Sequence, residues 1–237
     1  MQVVVLAGGL GTRLGERGRG LPKSLVPIAG RPFLDHQLEL LSRGGATRAL
    51  LCVGHLGGMI RDHLSRSHPP IPVELVDDGP NPAGTGGAVR SAVERGLCDE
   101  RFLVTYGDSY LRADLRALLC AHAQSGAPAT MAVLENHDRW DSSNCVVEDG
   151  RVVRYRKGLD AAARPAGMRW IDYGLSAYER SWVAAWPDAL PLDLSLPLSR
   201  LADEGALAAF EVTERFFEIG SPQGLADLEQ ALAEGVA

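Results

Sequence analysis

The 237-residue chain has no apolar run of the ~18 residues that a membrane-spanning helix needs, so no membrane partner is expected. It has no excess of positive charge. Its 24 Lys+Arg against 30 Asp+Glu leave a formal −6, the wrong sign for a nucleic-acid partner. Cysteine is scarce: Cys52, Cys98, Cys120 and Cys145 are scattered and form no C-x-x-C pair. A zinc ribbon or a redox dithiol is therefore not indicated. Cys52, Cys98 and Cys120 have apolar sequence neighbours and are expected to be buried small hydrophobes. Met1 leads into a strand-like run with no basic leader before it, so a cytoplasmic setting is expected. Internal repeats, low-complexity stretches and the H-E-x-x-H and G-x-S-x-G patterns are also missing.

What is present begins at the first residues. Val3-Val4-Val5-Leu6-Ala7 reads as a buried strand that breaks into Gly8-Gly9-Leu10-Gly11-Thr12-Arg13, and Pro22-Lys23 follows. Glycines that bare the backbone amides, plus one Arg and one Lys, suit a polyphosphate. The dinucleotide fingerprint fails, because Leu14 stands where its third glycine belongs; the P-loop fails, because Pro22 precedes Lys23. The alternative is a plain glycine turn. Against it, a charged arm follows that is longer than the few-residue βα connection common in such folds.

The first part alternates strands and helices. Strands are expected at 2–7, 49–53, 73–76, 101–106 and 129–135, and helices at 32–43, 59–65, 88–95 and 113–125. This order predicts a doubly wound, mostly parallel α/β sheet. After residue 136 the pattern changes. Asp149-Gly150 between β-prone runs 145–148 and 151–155 signals a hairpin. A strand at 169–175 and helices at 180–186, 196–204 and 225–234 follow, with Ser221-Pro222 as an N-cap and first helical residue. The chain reads as one domain, 1–237, with a nucleotide-binding part at 1–135 and a smaller hairpin-and-helix lid at 136–237 for the other substrate.

In doubly wound sheets, ligands sit at the carboxyl ends of strands. Three loops fall there: 8–13, Gly84-Thr85-Gly86-Gly87, and Gly107-Asp108. Asp108 near a triphosphate is a natural Mg²⁺ ligand, because Mg²⁺ takes one or two carboxylates plus phosphate oxygens; the plainer role is a turn or N-cap aspartate. The glycines at 84–87 permit close approach of a base or ribose, or simply open a helix. Gly107-Asp108-Ser109-x-Leu111 also mimics a GDSL esterase motif, but no histidine stands in a recognisable partner motif for the serine.

The run Leu6–Leu14 with Pro22-Lys23 resembles the signature of sugar-1-phosphate nucleotidyltransferases, in the Arg13-to-Lys23 spacing as well, and departs from it at Ser24. Within that family the chain looks closest to the heptose-1-phosphate guanylyltransferases. The resemblance implies a Rossmann-like nucleotidyltransferase fold. It also implies Mg²⁺-dependent transfer of a nucleotidyl group from an NTP, GTP favoured, to a heptose or hexose 1-phosphate, with release of pyrophosphate. It assigns catalysis to Arg13, Lys23 and Asp108, and nucleotide binding to Leu6, Ala7, Gly8, Gly9, Gly11, Thr12, Arg13, Lys23, Gly84, Thr85 and Gly86. Sugar-phosphate binding falls to Asn144, Lys157, Asp172 and Gly174, and metal binding to Asp108 and Glu218, the latter in place of the family's usual aspartate. Lys157 lies between Arg156 and Gly158, where the family more often has Glu-Lys-Pro, and its plainer reading is an ordinary exposed lysine. The expected partners are the NTP and the sugar 1-phosphate, and self-association into a homo-oligomer stays open. Uridylyl or cytidylyl transfer, and a non-catalytic nucleotide-sugar sensor, are the alternatives.

Overall fold

The computed structural model describes residues 1–9, 18, 20–54, 56–77, 79 and 82–235. Along the chain the elements are β1 (Gln2–Leu6), β2 (Pro27–Ile28), β3 (Arg31–Pro32), α1 (Phe33–Arg43), β4 (Arg48–Val53), α2 (Gly57–Arg66), β5 (Val73–Asp77), α3 (Gly84–Glu94), β6 (Arg101–Tyr106) and β7 (Ser109–Tyr110). They continue with α4 (Leu115–Ser125), β8 (Ala129–Glu135), β9 (Cys145–Glu148), β10 (Arg151–Tyr155), β11 (Trp170–Glu179), α5 (Arg180–Ala184), α6 (Ser195–Asp203), β12 (Leu207–Val212), β13 (Phe217–Glu218) and α7 (Pro222–Ala233). The elements form two compact units. One comprises Met1–Pro82, Val104–Arg112 and Phe216–Ala237; the other comprises Ala83–Leu103 and Ala113–Arg215.

In the first unit β5, β4 and β1 lie side by side, all parallel. Val3, Val4, Val5 and Leu51 are fully buried, as unbroken apolar strands covered on both faces must be. Leu34, Leu38 and Leu41 of α1 form its buried stripe at helical spacing. The small pairs β2–β3 and β7–β13 are both antiparallel. Ile28, Phe33, Tyr110, Phe217, Ile219 and Leu228 pack into one cluster that holds them. α7 starts as its sequence foretells: the Ser221 side chain accepts from Gly224 N, and Pro222 follows at the first position.

The second unit has strand order β11-β8-β12-β10-β9. Only β8 and β12 are parallel; the other pairs are antiparallel. The β9–β10 pair is the hairpin, where Asp149 (φ 46°) and Gly150 (φ 72°) make the two-residue turn that the sequence signals. The hairpin joins the sheet through β10–β12. β12, Leu-Ala-Ala-Phe-Glu-Val, is a strand that local propensity does not announce; its six-residue pairing with β8 makes it one. Cys52 and Cys98 are buried as expected, but Cys120 is exposed. α4 turns Leu115, Leu118 and His122 inward, and Cys120 falls outside that stripe. No helix among the described residues is long and apolar enough to cross a membrane.

Candidate active site

In the first unit the chemistry gathers where β1 ends. Ala7 N donates to Cys52 O at 2.8 Å, and Gly107 N donates to Leu6 O at 3.0 Å. A Cβ at Gly107 would come within 2.9 Å of the Ala7 Cα, so only glycine lets the turn after β6 lie against the first loop. Gly8 and Gly9 are exposed there. Gly54 also comes close: a Cβ on it would lie 3.2 Å from Gly8 O. Gly11, Thr12 and Arg13 lie outside the described residues.

The turn at Gly107-Asp108 delivers Asp108. Gln37, 2 % exposed, reaches out of α1 and donates to Tyr106 O at 2.8 Å and Ser109 O at 2.9 Å, clamping the turn from both sides. Asp108 O accepts from Ile219 N at 2.9 Å, and β7 pairs Ser109 with Glu218. Ser109 Oγ donates to the Asp108 carboxylate at 3.3 Å. Directly opposed residues of an antiparallel pair have Cβ atoms about 4.5–5.5 Å apart, so Glu218 stands across the strand pair beside the Asp108 turn. The Lys23 ammonium contacts Asp108 Oδ2, with the lysine side chain 12 % exposed. Gly220 makes room for it: a Cβ there would lie 3.1 Å from Lys23 Nζ.

Asp108, already holding a cation, and Glu218, opposite Ser109 on the paired strand, supply carboxylate oxygens of the kind Mg²⁺ takes. That ion completes its shell with phosphate and water oxygens and needs no all-protein cage. Among the described residues no group of three or more His, Cys, Asp or Glu could hold a metal ion.

The second unit brings together all four residues expected at the sugar phosphate. Asn144 opens β9. Its Oδ1 accepts from Asp172 N at 2.8 Å, and its backbone O accepts from Arg156 N at 2.9 Å. The Asp172 side chain, 6 % exposed, accepts from Tyr155 Oη at 2.8 Å and from Gly174 N at 2.9 Å, and it stands 3.7 Å from the Lys157 ammonium. Gly174 takes φ 85° where the β11–β8 register shifts, so it serves a bulge. Lys157 Nζ also lies 5.9 Å from the Tyr155 ring centroid. Asp172 is thus a buried junction of the protein's own donors. Next to it, burial pushes the Cys145 thiol well above its ordinary range.

Gly84, Thr85 and Gly86 form the start of α3, which begins four residues earlier than the sequence suggests. Gly86 N and Gly87 N donate to Leu192 O at 2.8 and 3.2 Å, and Thr85 Oγ1 accepts from Leu194 N at 2.9 Å.

Sequence reading missed Gln37, Tyr155 and Gly220 as parts of the site. Gln37 left a signal, a polar residue in the apolar stripe of α1. Tyr155 reads as an ordinary strand residue, and Gly220 as part of a helix approach.

Residues 3–194 match the family model described as MobA-like NTP transferase domain. A glucose-1-phosphate cytidylyltransferase of Salmonella typhi is 28% identical over 233 residues, covering 89% of this chain and 88% of that one. A D-glycero-alpha-D-manno-heptose 1-phosphate guanylyltransferase of Aneurinibacillus thermoaerophilus is 28% identical over 157 residues, 66% of this chain and 67% of that one. Among solved structures, HddC from Yersinia pseudotuberculosis complexed with GMP-PN superposes with a TM-score of 0.80 at 25% identity, over 98% of this chain and 99% of that one.

Proposed function

The chain belongs to the MobA-like NTP transferase domain family, and from that premise we propose that it is a sugar-1-phosphate nucleotidyltransferase that favours GTP. It joins the nucleotide to a heptose or hexose 1-phosphate and releases pyrophosphate. The observation that carries the reading is the Lys23–Asp108 ion pair on the turn that hydrogen-bonds to the end of β1. Guanine is favoured by the likeness to the HddC structure complexed with GMP-PN over nearly the whole chain. Cytosine is the second reading, because the cytidylyltransferase relative spans 89% of the chain.

The roles follow from charge. A phosphate monoester has a second pKa of about 6, so the attacking sugar phosphate is already an anion and needs no general base. The obstacle is repulsion between two anions, and cations placed where charge develops relieve it. Lys23, displaced from Asp108 by the incoming phosphates, would neutralise the α-phosphate and the attacking oxygen. Arg13 would hold the departing pyrophosphate. Lys157, at the Asp172 junction, would hold the sugar phosphate, with Asn144, Asp172 and Gly174 framing the sugar. Leu6 to Gly9, with Gly11 and Thr12, would line the nucleotide, and Gly84 to Gly86 its base. Asp108 and Glu218 would hold Mg²⁺, which when bound supplies charge neutralisation and orientation to the phosphates. A cytoplasmic location fits four cysteines that are all thiols.

The test is pyrophosphate release with Mg²⁺, crossing GTP, CTP, UTP, dTTP and ATP with a panel of hexose and heptose 1-phosphates. Release with a GTP pair above all others is the expected result. A CTP pair in first place would replace guanine with the second reading. Silence throughout would remove the enzymatic assignment.

A further inference from the structure

Lysine is nearly missing from this chain. Of its 24 Lys+Arg residues, only Lys23 and Lys157 are lysines. An ammonium is a compact charge on a flexible stem and a guanidinium is a planar fork, so the two are not interchangeable at a phosphate. Lys157 has an arginine directly before it, and the structure uses the two cations differently.

Arg156 is committed to the protein. Its Nη1 donates to Tyr155 O at 2.7 Å, and its Nη2 reaches both carboxylate oxygens of Asp203, at 3.0 and 2.7 Å. Its backbone N donates to Asn144 O at 2.9 Å. Asp203 is the last residue of α6, and Ser199, one turn earlier on the same face, donates to Tyr155 O at 2.8 Å. α6 thus grips the end of β10 at two points. A carboxylate at a helix C-terminus opposes the helix dipole, so Asp203 does nothing for α6 itself, and Arg156 meets its charge.

Lys157 comes directly after this clamp. Gly158, at φ 73°, then turns the chain in a way that glycine alone adopts without strain. The Lys157 ammonium stands 3.7 Å from Asp172 Oδ2. A long flexible stem can point many ways, so what it reaches depends on where its backbone is held. We infer that Asp203 is a positioning residue for the sugar phosphate: through Arg156 it fixes the end of β10, so that Lys157 presents its ammonium at Asp172 and the Arg156 guanidinium is kept off the phosphate. This deepens the nucleotidyltransferase reading and rests on it for the role of Lys157.

The experiment compares Asp203→Ala, Asp203→Glu, Arg156→Met, Lys157→Ala and the double variant Asp203→Ala/Lys157→Ala with the unaltered protein. Acetylation by an N-hydroxysuccinimide ester, read by mass spectrometry, reports on both lysines without any substrate. Calorimetry measures binding of glucose 1-phosphate and of D-glycero-α-D-manno-heptose 1-phosphate, and steady-state kinetics measures KM for both substrates. Asp203→Ala should speed acetylation of Lys157 several-fold, as the amine leaves Asp172, with Lys23 unchanged. It should also raise the sugar-phosphate Kd and KM about fivefold, the scale of one solvent-exposed ion pair, with the NTP KM unchanged. Arg156→Met should match it, and Asp203→Glu should restore most of the loss. In the Lys157→Ala background the Asp203 change should add nothing, because residues that act through one another are not additive.

Tighter sugar-phosphate binding by Asp203→Ala would mean that a released Arg156 holds the phosphate itself, and would overturn the inference. Unchanged acetylation of Lys157, or equal weakening in both backgrounds, would overturn it too. Weakening by Lys157→Ala without weakening by Asp203→Ala would sink this inference alone. The expected binding and acetylation pattern without turnover would sink the enzymatic reading and leave this one standing. If neither sugar phosphate binds the unaltered protein, the substrate reading falls, and the acetylation of Lys157 still decides the clamp.

Discussion

The Asp108 corner and the Asp172 corner each join one carboxylate to one lysine, yet they are built differently. Asp108 sits in a turn with its side chain 31% exposed, while its partner Lys23 is only 12% exposed. Asp172 is 6% exposed and is held by Tyr155 Oη, Gly174 N and the Asn144–Asp172 N bond, with Lys157, 41% exposed, at its edge. A carboxylate that solvent reaches can change its cation at modest cost. A buried carboxylate that loses its donors leaves charge unpaired in the interior. The proposed mechanism asks the Asp108 corner to change its cation, whereas Asp172 is held in a frame of the protein's own donors with Lys157 at its rim.

Substitutions at the two corners should separate these modes. The largest effect is expected from Lys23→Ala: turnover should fall about 10²–10³-fold or more, the scale for removing a group that stabilises developing charge, with little change in melting temperature. Lys23→Arg should not rescue it, because a planar fork does not replace a compact ammonium. A Lys23→Ala variant with near-native turnover would break the comparison at its stronger side. Asp172→Asn should show the opposite balance. Its melting temperature should drop, with about 1–3 kcal/mol lost through poorly matched donors, and KM for sugar 1-phosphate should rise while KM for NTP holds. Gly220→Ala should be smaller, about tenfold in kcat, since a methyl 3.1 Å from Lys23 Nζ displaces the ammonium without removing it. Tyr155→Phe should be the smallest, a few-fold in sugar-phosphate KM and about 1 kcal/mol in stability for one lost hydrogen bond. Thermal melts and two-substrate kinetics read all five variants.

The two corners also differ in how far the sequence reveals them. Lys23, Gly107 and Asp108 are legible because glycine and charge stand at strand ends in an otherwise apolar context. The hairpin at Asp149-Gly150 and the cap at Ser221-Pro222 are legible for the same reason: each is a local requirement met by local residues. The frame around Asp172 is not local. Asn144, Tyr155 and Asp172 meet through strand pairing, and nothing within a few residues of any one of them signals the other two. The same holds for Leu192, whose carbonyl caps a helix distant in sequence, and for β12, whose alanines become strand only by pairing with β8. α3 starts four residues before its apolar periodicity does, because its first amides are capped from that distant segment.

The most direct test of the mechanism is exchange of labelled pyrophosphate into GTP in the presence of Mg²⁺. Direct attack by a sugar phosphate requires that label enter GTP only when the matching nucleotide-sugar, or the sugar 1-phosphate that forms it, is supplied, and Lys23→Ala should abolish that exchange. Label entering GTP with the protein alone would mean that the nucleotide passes through a covalent bond to the chain, and would contradict the account.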